Sequence, residues 1–94
     1  MLPMINSQAE AQSVVGAVKY PPMGNRGLAG VRANSYGLTT ETLADYVKTA
    51  NKETLVIVQI ETTTAVNNLE GILKVDGVDV LFVGPTDLSS SMGY

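Results

Sequence analysis

The segments LVIVQIE (residues 55–61) and VLFVGPTD (residues 80–87) define the architecture of this 94-residue chain. Each begins with an apolar, largely β-branched run, which is typical of a parallel strand covered on both faces. Each then reaches an acidic residue: Glu61 follows the first run directly, and Asp87 follows the second after Gly-Pro-Thr. Because neighbouring parallel strands end at the same edge of a sheet, we expect both carboxylates at one edge.

The rest of the chain alternates helical and extended patterns with these two strands. Residues 1–5 are an apolar run that indicates the end of another strand. A first helix is predicted after Ser7, which forms a capping box with Glu10. A long glycine-containing loop, residues 20–38, separates it from a second helix beginning near residue 39 or 40. A third helix is capped at residue 62 or 63, with Val66, Leu69, Ile72 and Leu73 as its buried stripe, and Asp76-Gly77 signals a turn before the last strand. Residues 84–89 are predicted to form a polar loop.

This order predicts an α/β fold with a parallel sheet of about three strands and intervening helices. A three-stranded parallel sheet has two open edges and leaves its faces poorly covered. We therefore expect the chain to be part of a larger domain or of an assembly.

Composition excludes several classes of function. The chain is 45% hydrophobic and 16% charged with a net charge of -3, which is typical of a globular protein and lacks the basic surface of a nucleic-acid-binding domain. It contains no cysteine and no histidine, so Ser-His-Asp and Cys-His catalysis and histidine-based zinc sites are excluded within it. No signal peptide or bilayer-spanning run is visible. We expect a cytoplasmic setting, with neither nucleic acid nor membrane as partner.

Glu61 and Asp87 are the candidate metal ligands. Two carboxylates that leave neighbouring strand ends can reach one cation, and hard oxygen donors suit Mg²⁺ or Mn²⁺. A purely structural interpretation stays open for both residues. Glu61 opens a helix, where its charge is favoured by the helix dipole, and Asp87 can cap a turn.

Other polar residues offer weaker signals. Gln59 lies on the same side of its strand as Glu61, where it either binds substrate or bonds to a neighbouring strand end. The backbone N–H groups after Gly84 can face an anion. Arg26 and Arg32 of the long loop can bind an anionic substrate or lie in solvent. The four lysines lie on helices or at their ends, away from strand ends, so nothing favours imine chemistry.

Several motifs together resemble the HpcH/HpaI aldolase family. They include VQIET at residues 58–62, NLEGI at 68–72, VDGVD at 75–79 and FVGPTDLSSSMGY at 82–94. The first half of the chain agrees, with LPMIN at residues 2–6, KYPP at 19–22 and GNRG at 24–27. The resemblance covers essentially the whole chain. It implies that residues 1–94 are the central portion of a TIM (β/α)8 barrel of class II, metal-dependent 2-oxo acid aldolases.

The resemblance also implies an activity and roles for particular residues. The activity is the reversible aldol cleavage of 4-hydroxy-2-oxo acids to pyruvate and an aldehyde, with the enolate stabilised by Mg²⁺, Mn²⁺ or Co²⁺. Glu61 and Asp87 are the implied metal ligands. Gln59, Thr86 and Asp87 are the implied contacts of a pyruvate- or oxaloacetate-type 2-oxo acid. The family's catalytic histidine and enolate-stabilising arginine match no residue here, so the chain holds no catalytic residue beyond the metal ligands. Full-length members are homo-oligomers.

Two alternatives accompany this interpretation. The first is a truncated, non-catalytic module that binds metal or an oxo acid, or that only associates with other chains. The second is a citrate lyase β-like or macrophomate synthase-like member of the same family.

Overall fold

The computed structural model describes all 94 residues, which divide into two compact units. The first unit comprises Met1–Val15 and Leu55–Tyr94, and the second comprises Gly16–Thr54. None of the helices has the length and hydrophobicity needed to cross a membrane. In chain order, the elements are α1 (Gln8–Val18), a 3-10 segment (Arg32–Gly37), α2 (Leu43–Glu53), β1 (Ile57–Ile60), α3 (Thr63–Asn67), α4 (Leu69–Leu73), β2 (Val80–Val83) and α5 (Pro85–Ser91).

The sheet of the first unit consists of β1 and β2, which pair in parallel as predicted. The third strand, predicted at residues 1–5, is reduced to a single parallel bridge between Leu2 and Val58. Pro3 has no N–H group to donate to a ladder. Met4 has a φ of 56°, a left-handed conformation that ends extended backbone at this point. The sheet therefore has two strands and one additional bridge.

Burial differs between the two strands. Val58 and Ile60 of β1 are 0% and 3% exposed, whereas Phe82 and Val83 of β2 are 45% and 54% exposed. The prediction that both strands are covered on both faces is therefore wrong for β2. The physical reason is position: the Leu2 bridge and β2 flank β1, while β2 has β1 as its only neighbour in the sheet.

The remaining core of the first unit comes from α1, α3 and α4 and from the connecting segments next to them and before β1. Its buried apolar residues outside the strands are Ile5, Ala11, Val14, Val15, Val56, Ala65, Ile72 and Val75. The predicted Asp-Gly turn is present, and Gly77 has a φ of 94°. A Cβ at Gly77 would lie 2.7 Å from Cγ1 of Val15, so both its backbone conformation and its packing require glycine.

The predicted third helix is divided into α3 and α4. Asn68 stands between them with φ -100° and ψ 9°, and Thr62 caps α3 by accepting a bond from the Ala65 N–H. Of the predicted apolar stripe at Val66, Leu69, Ile72 and Leu73, only Ile72 is buried, while Ala65 is buried instead. The 3.6-residue spacing of one continuous helix does not persist across the break at Asn68.

Helix starts match the predicted capping signals closely. The Glu10 N–H donates to Ser7 Oγ at 3.2 Å, and Glu10 Oε2 accepts from the Asn6 N–H at 2.6 Å. This reciprocal arrangement is the predicted capping box with Asn6 as the second donor. Helix α2 starts slightly later than predicted, at Leu43, because Thr42 is its N-cap.

Polar contacts around Lys19 and Tyr20 organise the second unit. The Tyr20 N–H donates to Asn51 Oδ1 at 2.7 Å, and Asn51 Nδ2 donates to the Tyr20 carbonyl at 2.9 Å. Lys19 Nζ donates to the carbonyls of Asn51 and Thr54, at 2.6 Å each. These bonds satisfy carbonyls at the C-terminus of α2, where a positive charge is also favoured. A hydrogen bond with the Tyr20 hydroxyl raises the pKa of Tyr46 above its ordinary value of 10.0.

Adjacent residues of α4 give a matched test of this core. Ile72 is 0% exposed and Leu73 is 62% exposed. We expect Ile72→Ala to lower the free energy of unfolding by about 2–5 kcal/mol, because it leaves a cavity. The control Leu73→Ala should lower it by about 0.5 kcal/mol or less. Urea denaturation followed by circular dichroism measures both, and equal losses would contradict this assignment of the core.

Candidate functional site

The carboxyl ends of β1 and β2 lie side by side. Ile60 pairs with Val83 at the end of the ladder. One further bond, from the Gly84 N–H to the Ile60 carbonyl at 3.1 Å, continues the pairing beyond the strands. Glu61 and Gly84 therefore leave the sheet at the same level, as the sequence predicts for the segments that carry the two carboxylates.

The Glu61 carboxylate is held in the interior of the first unit. The side chain is 6% exposed. Its Oε2 accepts a hydrogen bond from the Met4 N–H at 2.8 Å. Its Oε1 lies 3.5 Å from the side-chain nitrogen of Gln59. Neither donor is charged, although a buried carboxylate ordinarily requires a positive partner or several strong donors.

Asp87 belongs to a helix and not to the predicted polar loop. Residues Pro85–Ser91 form α5, with Gly84 as N-cap and Asp87 in the first turn. Proline suits the first position of a helix because its fixed φ fits there and its missing N–H would have no intrahelical partner. Asp87 is exposed, and its charge is favourable at this end of the helix.

Two connections fix α5 to the rest of the first unit. At its start, the Gly84 N–H is bonded to Ile60. At its end, Ser91 Oγ accepts from the Thr63 N–H at 3.0 Å, and Thr63 Oγ1 donates to the Ser91 carbonyl at 3.2 Å. The helix that carries Asp87 is thereby attached to β1 at one end and to the start of α3 at the other.

The remaining predicted substrate contacts lie at the same edge. Gln59 is half-buried, and its amide reaches the Glu61 carboxylate. Thr86 is exposed in the first turn of α5. The Leu88 N–H donates to the Gly84 carbonyl at 3.0 Å, so the N–H groups of Thr86 and Asp87 precede this bond of the helical ladder.

The basic residues of the second unit have structural surroundings of their own. The Arg26 guanidinium lies 4.5 Å from the centroid of the Tyr20 ring, a cation–π arrangement. Arg32 is exposed in the 3-10 segment. Lys19 is 4% exposed, and its ammonium group is bonded to the two carbonyls at the end of α2. Its position is desolvated, but its bonds assign it to helix capping.

The residues at this edge fit one divalent cation in part. The site offers a buried carboxylate without a cationic hydrogen-bond donor and an exposed carboxylate from the adjacent strand end. The chain contains no group of three or more acidic, histidine or cysteine side chains that could hold a metal ion. Oxygen donors of this type suit Mg²⁺ or Mn²⁺, which commonly keep several water ligands and take others from substrate.

Two backbone positions that define this edge were not predicted from the sequence. The Met4 N–H contacts one oxygen of Glu61. A Cβ at Gly84 would lie 2.6 Å from the other oxygen. Unusual backbone is signalled by Pro3 before Met4 and by the Gly-Pro pair at residues 84–85. Neither signal indicates that the backbone at that point contacts the carboxylate of Glu61.

The attachment of α5 can be tested at two adjacent serines. We expect Ser91→Ala to lower the free energy of unfolding by about 0.5–1.5 kcal/mol and to speed amide exchange in α5, because the bond that Oγ accepts from Thr63 is lost. Ser90 is exposed, so Ser90→Ala serves as the control and should leave exchange unchanged. Equal exchange in the two variants would show that Ser91 does not hold the helix.

The whole chain is similar to proteins of one known family. A family model described as HpcH/HpaI aldolase/citrate lyase matches residues 1–94. A 4-hydroxy-2-oxovalerate aldolase from Novosphingobium aromaticivorans is 46% identical over 93 residues, covering 99% of this chain and 34% of that protein. A 2-dehydro-3,6-dideoxy-6-sulfogluconate aldolase from Pseudomonas putida is 50% identical over 95 residues, covering 100% of this chain and 36% of that protein.

Solved structures agree with these relatives. The crystal structure of an HpcH/HpaI aldolase from Desulfitobacterium hafniense superposes with a TM-score of 0.88 and 34% identity, covering 98% of this chain and 35% of that one. The chain thus spans about a third of the length of the relatives it matches. Both the α/β architecture with parallel strands and the resemblance of its motifs are confirmed. The chain belongs to the HpcH/HpaI aldolase/citrate lyase family.

Proposed function

We propose that residues 1–94 are a partial domain from the centre of a divalent-metal-dependent 2-oxo acid aldolase with a TIM barrel. The observation that carries this proposal is the buried Glu61 carboxylate at the carboxyl end of β1, beside the segment that leads from β2 to Asp87. In parallel α/β barrels this end of the strands holds the catalytic groups. The family match over residues 1–94 and the aldolase relatives support the same reaction class.

The barrel also accounts for the open side of the first unit. Phe82 and Val83 of β2 are exposed apolar residues, and a neighbouring strand with covering helices would bury them. We also propose that the aldolase to which these residues belong forms homo-oligomers, as the resemblance to the family implies. A cytoplasmic location stays a prediction.

In this proposal Glu61 and Asp87 hold Mg²⁺, Mn²⁺ or Co²⁺. The bound cation would supply Lewis acidity to the 2-oxo group of the substrate. Glu61 contributes a carboxylate whose orientation is fixed by its buried contacts, and Asp87 contributes one from the first turn of α5. The positive charge would also balance the buried negative charge of Glu61, which its neutral donors leave unpaired.

Gln59, Thr86 and Asp87 would orient the substrate, a 2-oxo acid of the pyruvate or oxaloacetate type. The N–H groups of Thr86 and Asp87 would donate to its carboxylate, and the Gln59 amide would lie beside Glu61. Relatives named hydroxypyruvate/pyruvate aldolase support this substrate class. The resemblance assigns proton transfer to a histidine, and the chain contains none; in this proposal its part in the reaction is to bind and orient.

A non-catalytic module remains the second candidate, favoured by the absence of any histidine from the chain. It would use the same edge to bind metal or an oxo acid without turnover. A citrate lyase-like or macrophomate synthase-like reaction is the third, and the description of the matched family includes citrate lyase.

Metal binding tests the assigned ligands directly. We expect Glu61→Gln to weaken Mn²⁺ binding about tenfold or more, because the amide removes the charge and one anionic donor. Glu70→Gln is the control, since Glu70 is an exposed carboxylate in α4. The loss of the free Mn²⁺ signal in electron paramagnetic resonance measures binding. Equal affinity in all three proteins would contradict the assignment of Glu61.

Turnover tests whether these residues can carry out the cleavage without a further proton-transfer group. We expect the 94-residue chain with Mn²⁺ to cleave 4-hydroxy-2-oxo acids no faster than Mn²⁺ alone, because it contains no histidine to transfer the proton. Pyruvate release, followed with lactate dehydrogenase, is the measurement, and Glu61→Gln is the control for adventitious metal. Cleavage that exceeds both backgrounds would contradict this division of labour and exclude the non-catalytic module.

A further inference from the structure

Gly84 is the point at which the β2–α5 connection touches the Glu61 side chain. A Cβ built on Gly84 would lie 2.6 Å from Oε1, 2.7 Å from Cγ and 3.0 Å from Cδ of Glu61. These distances are shorter than ordinary van der Waals contacts. Three atoms of one side chain therefore occupy the space that any residue other than glycine would need.

The backbone of Gly84 does not itself demand glycine. Its φ is -91° and its ψ is 94°, which is within the range that other residues adopt. Glycine is usually required where φ is positive, and that reason does not apply here. The requirement at this position comes from the packed carboxylate alone.

The opposite side of the carboxylate is fixed by the main chain of Met4. The Met4 N–H donates to Oε2 at 2.8 Å. Met4 also has a φ of 56°, a left-handed conformation that non-glycine residues adopt infrequently. The carboxylate is therefore confined between a backbone donor and the bare Cα of Gly84.

We propose that Gly84 and the Met4 N–H are positioning groups that fix the Glu61 carboxylate in the orientation in which it binds the metal. This inference rests on the proposed role of Glu61 as a ligand. Neither position acts on substrate. Gly84 supplies space, and Met4 supplies a donor whose direction is set by the main chain.

A side chain at position 84 should displace the carboxylate. Because Glu61 is 6% exposed, there is little room for its outer atoms to move without losing the bond from Met4. Gly84→Ala should therefore weaken Mn²⁺ binding about tenfold, as loss of a group that orients a metal ligand does. Exchange of the Met4 amide should become about tenfold faster, since its acceptor has moved.

Gly27→Ala is the matched control. A Cβ at Gly27 would have no heavy atom within 4 Å, so both Mn²⁺ affinity and Met4 exchange should equal those of the wild type. Electron paramagnetic resonance measures the affinity, and amide exchange followed by nuclear magnetic resonance measures Met4. Wild-type affinity and Met4 protection in Gly84→Ala would overturn the proposal.

Two further results keep the outcome decisive. If Gly84→Ala does not fold, the double variant Gly84→Ala with Glu61→Ala should fold, because the clash between the new Cβ and the Glu61 side chain is removed. A double variant that also fails to fold would overturn the proposal. If the wild type does not bind Mn²⁺, the proposed function fails. Met4 exchange then still decides whether Gly84 positions the carboxylate, with Glu61→Ala as the reference for its loss.

Discussion

The parallel pairing of β1 with β2 is the constraint on which the site depends. The register that joins Ile60 to Val83 sets Glu61 and Gly84 at one level. The bond from the Gly84 N–H to Ile60 then holds the start of α5 against the end of β1. A shift of one residue in this register would move Gly84 away from Glu61 and turn alternate side chains to the other face.

Burial of a carboxylate at this edge has an energetic cost that the rest of the unit offsets. Glu61 contributes little to an apolar core, yet it is as buried as the core valines Val15 and Val75. A structure optimised for stability alone would place an apolar residue here. Its presence among neutral donors supports the proposed role of Glu61 as a metal ligand, and its burial distinguishes it from the exposed acids on the helices.

Sequence patterns predicted the parts of the fold that depend on local chemistry. The capping box at Ser7, the Asp-Gly turn and the two parallel strands follow from short-range rules, and all are present. The predictions failed in three places. The exposure of β2 depends on neighbours that periodicity does not describe. The break at Asn68 and the reduction of the first strand to one bridge, where Pro3 lacks an N–H and Met4 has a positive φ, are irregularities of the backbone that an apolar pattern does not report.

The candidate site was likewise predicted only in part from the sequence. Alternation along β1 predicted that Gln59 and Glu61 lie on one side, and their side chains do meet. The helical conformation of residues 85–91 was missed, although Pro85 at its first position is a recognised start signal. The contacts that Met4 and Gly84 make with Glu61 could not be read from the sequence, because each joins segments that are distant in the chain.

The contact between Met4 and Glu61 has a consequence for how this position tolerates mutation. Because the main chain supplies the donor, the identity of the side chain at position 4 is largely irrelevant to the bond, and Met4 itself is 50% exposed. Proline is excluded, since it has no N–H and its φ is fixed near -65°. Valine and isoleucine are disfavoured by the left-handed backbone. A library at position 4 would thus be permissive for most polar and unbranched residues, while any side chain at position 84, only a few ångströms from the same carboxylate, would press on Glu61.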